Sequence, residues 1–153
     1  MITPFENLSD THQAILKDAP FWVTMWVGLA DGHFTQKEQI KAIQTLEIKA
    51  FSESHDVSVL YQEIKNPASR MADLLNELIG DVEADQVFVK EKLLEVKTVL
   101  EDIDKSFAHA LFRSLKNVGV YVALASGGIF GYDNISRSEK VAYSLDFVKP
   151  NIQ

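Results

Sequence analysis

Asp31 and Glu38 are the pair of side chains whose types and spacing point first to chemistry. They lie in the run Ala30-Asp31-Gly32-His33-Phe34-Thr35-Gln36-Lys37-Glu38. Hard cations such as calcium and magnesium take several oxygen ligands, mostly carboxylates and carbonyls. An acid where one helix ends and another in the first turn of the next can converge on one such ion. The same two residues also have a purely architectural reading. Thr35-Gln36-Lys37-Glu38 has the spacing of a capping box, in which Glu38 serves the helix start, and Asp31 can simply terminate the helix before it. An EF-hand is excluded. With Gly32 at the sixth loop position and Glu38 at the twelfth, positions one and three fall on Val27 and Leu29, which cannot ligate.

Other chemistry finds little purchase. The chain has no cysteine, which removes disulfides, thiolate metal sites and a thiol nucleophile. His12, His33, His55 and His109 show no paired metal-ligand spacing. His33, in the loop, is read as a solvated side chain. Trp22 and Trp26 are one helical turn apart and are read as core packing. The run Gly127-Gly128-Ile129-Phe130-Gly131 lacks the ending of a phosphate-binding loop. No serine, histidine and acid arrangement has a recognisable local pattern, so the expectation is a protein that is not an enzyme.

The elements that must position these residues are helical. Ser9 and Asp10 can cap a short helix over Thr11 to Asp18, and Pro20 suits the first turn of a second. That second helix, Pro20 to Ala30, is apolar nearly all round, as a helix at the centre of a domain must be. The capping box opens a third, with a predicted core stripe of Ile40, Ile43, Leu46, Ile48 and Phe51. Val57, Leu60, Tyr61 and Ile64 suggest a fourth, stopped at Asn66-Pro67. A fifth carries Met71, Leu74, Leu75, Leu78 and Ile79 and ends at Gly80. An acidic helix follows with Val89, Leu93, Val96, Leu100 and Ile103 on one side, then a break near Asp104 and a helix over Lys105 to Ala125. Residues 126–135 hold three glycines and read as a loop, with Ile129, Phe130 and Tyr132 expected to pack beneath it. Ser136-Arg137-Ser138-Glu139 repeats the capping-box spacing and opens a last helix through Val141 and Leu145. The fold expected is all-α, a compact bundle of about seven helices in one domain.

The chain also repeats itself. Trp26-Val27-Gly28-Leu29-Ala30-Asp31-Gly32 aligns with Tyr121-Val122-Ala123-Leu124-Ala125-Ser126-Gly127, and Phe34 to Glu38 aligns with Ile135 to Glu139. Two such units would pack around a shared centre, with Gly28 and Gly119 allowing close backbone approach. The stretches Ala19 to Glu38 and Ala123 to Glu139 resemble the two motifs of the TerB-like family of tellurite-resistance-type proteins. The resemblance implies a helical bundle made of two pseudo-repeats and an acidic metal site built from the two loop–helix motifs. It places ligands at Asp31 and Glu38, and in the second motif at Glu139 with Asp133 substituting. Ser126 departs from the pattern, standing where an acid would precede glycine. A stress-response setting is likewise what the resemblance implies.

Charge narrows the partners. Of 153 residues, 15 are basic and 22 acidic, a net charge of −7. Nucleic acids and anionic membranes are attracted by basic surfaces, so neither is expected. A divalent cation, calcium or magnesium, or a protein partner suits the balance better. The segment Asp81 to Asp104 concentrates the excess, with eight acids against three lysines, and is read first as a solvated helix face. The first ten residues lack a basic region followed by an apolar run, and no apolar stretch reaches membrane-spanning length. A cytoplasmic protein without membrane insertion is therefore expected.

Overall fold

The computed structural model describes residues 2–30, 34–125, 140 and 144–151. Among these there are six α-helices, one short 3-10 turn and no strand. They are α1 (Asp10–Ala30), α2 (Gln36–Ser52), α3 (His55–Gln62), α4 (Pro67–Leu75), α5 (Val82–Glu101) and α6 (Lys105–Ala125), with the 3-10 turn at Asp146–Val148. No helix is long and apolar enough to cross a membrane among the described residues.

The centre is α1. The seven consecutive residues from Ala19 to Met25 are all buried, which spans nearly two helical turns and so every direction around the axis. Even Thr24 is enclosed, its hydroxyl donating to the Phe21 carbonyl at 2.7 Å. α5 and α6 pack along α1, α2 packs on α6, and α3 closes against α2 and α6. The two apolar helices of the repeat are thus neighbours, as their sequences predict. The second half of the repeat, including the loop with Ile129, Phe130 and Tyr132, lies outside the described residues.

Several helix starts are held as their sequences direct. Asn66 Oδ1 accepts from Ser69 N–H at 3.1 Å, Asp81 Oδ1 from Glu83 N–H at 3.1 Å, and Asp104 Oδ2 from Phe107 N–H at 3.0 Å. Gly80, the one described residue at positive φ (90°), turns the chain into α5. The buried Asp85 carboxylate fixes that turn, accepting from the N–H groups of Ile79 and Gly80 at 2.9 and 3.0 Å.

Three expectations fail. The predicted break at Pro20 does not occur, and Asp10–Ala30 is one helix with Pro20 inside it. Proline costs a backbone hydrogen bond there, but Leu16, Ala19, Pro20 and Phe21 are all buried, and that packing carries the helix through. α4 ends at Leu75 rather than continuing to Ile79, which is 76% exposed. The predicted core stripe of α2 holds only at Leu46, which is buried, and at Ile43, which is half-buried. Ile40, Ile48 and Phe51 are 50%, 61% and 89% exposed, while Glu38, Ala42, Thr45, Leu46 and Lys49 face inward.

Gly28 does mark a close approach, and the neighbour is the chain just beyond α1. A Cβ there would lie 2.6 Å from Phe34 Cδ1, 2.8 Å from its Cβ and 2.9 Å from its Cα. A ring can swing aside, but the Cα cannot. Gly28→Ala should therefore destabilise the protein by about 1–3 kcal/mol in urea unfolding, despite alanine's better helix propensity. An unchanged or raised midpoint would show that the Phe34 contact is loose.

Candidate functional site

Glu38 sits where an extended Thr35 hands the chain to α2. Thr35 Oγ1 accepts from Glu38 N–H at 3.1 Å, and Glu38 Oε1 accepts from Thr35 N–H and from Thr35 Oγ1–H, each at 3.0 Å. The capping box is complete. It engages only one carboxylate oxygen. Glu38 is 1% exposed, and its Oε2 is buried with no hydrogen-bond partner among the described residues. Leaving a buried acceptor unsatisfied costs on the order of 1–3 kcal/mol, more when it is charged. The helix N-terminus eases a negative charge there but makes no bond to that oxygen.

The other predicted ligands, Asp31, Asp133 and Glu139, lie outside the described residues, as does His33. Among the described residues no group of three or more histidine, aspartate or glutamate side chains stands close enough to hold a metal ion. Glu38 is thus a single oriented carboxylate at the edge of the first motif. An orphaned, buried, anionic oxygen fits the requirement of a hard cation, and further ligands would have to come from the adjoining chain.

A second buried polar group was invisible in sequence. The Lys49 ammonium, on the inner face of α2, pairs with the Glu53 carboxylate. Ser114 Oγ–H of α6 donates to Glu53 Oε1 at 2.9 Å, and Tyr61 Oη–H of α3 donates to Ser114 Oγ at 2.6 Å. Lysine, glutamate, serine and tyrosine form one directed chain tying three helices together. Its partners are up to 61 residues apart in sequence, so no local spacing announces it. Charged residues on the inner side of a helix whose outer side is apolar were the available signal. Polar contacts also join α1 to its sheath. Arg70 grips Asp18 with Nε at 2.9 Å and Nη2 at 2.7 Å, and Gln86 Nε2–H donates to the Leu29 carbonyl at 3.0 Å. The two tryptophans pack edge-on, the buried Trp22 on Phe88 at 5.7 Å and the half-buried Trp26 on Phe147 at 5.3 Å between centroids.

Burial pushes the Tyr61 hydroxyl well above its ordinary value of 10.0; the Ser114 hydrogen bond opposes this and the Glu53 charge adds to it. A folded-state value above the unfolded one gives stability that is complete below about pH 10 and declines as pH rises beyond it. Tyr61→Phe should cost about 1 kcal/mol at neutral pH and should flatten the alkaline decline. Urea unfolding at about pH 8 and about pH 11 measures both. Equal alkaline losses in wild type and variant would show that Tyr61 is not the group responsible.

Compared with family models, with curated proteins and with solved structures, the chain matches none of them.

Proposed function

We propose that this chain is a non-enzymatic, TerB-like binding module in which Glu38 helps to hold a divalent cation, calcium or magnesium, in a stress-response setting. The observation that carries the reading is the free Glu38 Oε2, buried at a helix start with no partner among the described residues. Asp31, seven residues before Glu38, is the first candidate to complete the coordination, and Asp133 and Glu139 of the second motif are the next. A bound cation would neutralise the buried carboxylate and fasten the start of α2 to the chain around it. The non-enzymatic part rests on the structural engagement of the buried charges. Glu38 caps α2, Glu53 receives Lys49 and Ser114, and Asp85 holds the turn before α5. The alternative reading, an interaction domain without a metal, is favoured by the apolar residues that α2 presents outward.

Thermal melting separates the two. A cation at a hundred times its Kd stabilises the folded state by about 2.7 kcal/mol, roughly 5–10 °C for a chain of this size. Wild type should show that rise with millimolar calcium or magnesium. Glu38→Gln keeps an acceptor for Thr35 and should melt near wild type without metal, yet lose most of the rise because a neutral amide is a poorer ligand for a hard cation. Asp31→Asn should behave likewise. No shift in wild type, or an equal shift in Glu38→Gln, rules out this cation site.

A further inference from the structure

Glu38 comes to a cation with one oxygen already engaged. Each carboxylate oxygen offers about two lone-pair sites. Both sites of Glu38 Oε1 are filled from Thr35, by the backbone N–H and by the side-chain hydroxyl, each at 3.0 Å. Oε2 has no hydrogen-bond partner among the described residues. To turn Oε1 toward an ion as well, the carboxylate would have to break two charge-assisted hydrogen bonds. It would also give up its half of the capping box. Glu38 can therefore offer a cation one oxygen and not two.

Its surroundings hold the carboxylate in that pose. Glu38 is 1% exposed, and its backbone N–H is tied in turn to Thr35 Oγ1 at 3.1 Å. Phe34, the residue before Thr35, is packed on α1 at Gly28, where a single added Cβ would lie 2.9 Å from the Phe34 Cα. Thr35 and Glu38 thus lock each other by three hydrogen bonds, and the chain just ahead of them is pressed against the central helix.

One-oxygen ligation suits the two hard cations unequally. Calcium gathers about six to eight oxygens at about 2.3–2.6 Å, often with a carboxylate that contributes both of its own. Magnesium demands a near-ideal octahedron at about 2.0–2.1 Å. The narrow bite of a bidentate carboxylate does not fit that octahedron, so magnesium takes one oxygen from each carboxylate. Locking Glu38 to Oε2 withholds a contact from calcium and nothing from magnesium. We infer that the capping box makes Glu38 an obligate one-oxygen ligand, so that the cation site favours magnesium over calcium. This rests on the cation reading above and adds the choice of ion and the residue, Thr35, that sets it.

Calorimetric titration of the metal-free chain with magnesium chloride and with calcium chloride tests this, Glu38→Gln marking the binding that belongs to the site. Wild type should bind magnesium more tightly than calcium. Thr35→Ala removes the hydroxyl and opens one lone-pair site on Oε1. It should move the affinity ratio toward calcium by roughly three- to tenfold, the worth of one hydrogen bond. Thr35→Ser keeps the hydroxyl and should keep the wild-type ratio. If Thr35→Ala does not fold, infrared difference spectra of wild type with and without magnesium decide. The Glu38 carboxylate stretches, assigned by their loss in Glu38→Gln, should move apart on binding, as one-oxygen coordination requires. Three results overturn the magnesium preference and leave the cation reading standing: tighter Glu38-dependent binding of calcium, an unmoved ratio in Thr35→Ala, or stretches that draw together. Titrations that Glu38→Gln leaves unchanged for both ions overturn the two together.

Discussion

The structure depends on α1 having no exposed side for two turns. A helix that is apolar in every direction has to be enclosed by others, and α5 and α6 lie along it for that reason. The enclosure reaches its polar atoms as well. Thr24 returns its hydroxyl to its own helix, and the Leu29 carbonyl, one of the orphans at the helix end, is met by Gln86 from α5. Gly28 lets Phe34 come against the last turn of α1. The Glu38 carboxylate is thereby set in the interior, while Gln36 and Lys37 beside it stay exposed.

α2 then inverts the usual arrangement. Its inner side carries Glu38, Thr45 and Lys49 beside Ala42 and Leu46, and its outer side carries Ile40, Ile48 and Phe51. Buried charge is weak evidence of stability, since desolvation offsets most of the Coulomb gain. What such groups need is partners: Lys49 pairs with Glu53, which also accepts from Ser114, itself hydrogen-bonded to Tyr61. Glu38 has a partner for one oxygen and not for the other. One helix therefore presents an unsatisfied anion on one side and an unsatisfied apolar stripe on the other.

Local chemistry was the legible part of the sequence. Thr35 and Asp104 cap where the sequence places helix starts, because a cap is made within three or four residues. The apolar character of Pro20 to Ala30 announced the central helix for the same reason. The failures are all tertiary. Pro20 reads as a boundary until burial on both sides of it carries the helix through. Ile40, Ile48 and Phe51 of α2 were misplaced because periodicity finds apolar positions but assumes that they point inward. The network of Lys49, Glu53, Ser114 and Tyr61 joins helices far apart in sequence, and no motif encodes it. At Glu38 the sequence shows the cap, whereas only the packing shows that one of its oxygens is left over.

Amide hydrogen exchange, followed residue by residue with and without millimolar calcium or magnesium, tests most directly whether that leftover oxygen is a cation ligand. The N–H groups of Glu38 and Gln39 belong to the first turn of α2, and those of Phe21 to Leu29 report global unfolding. A cation held at Glu38 should slow exchange at Glu38 and Gln39, and should slow the α1 amides by the amount the bound ion adds to global stability. Unchanged exchange at Glu38 and Gln39, or a cation effect centred instead on the acidic outer face of α5, would contradict it.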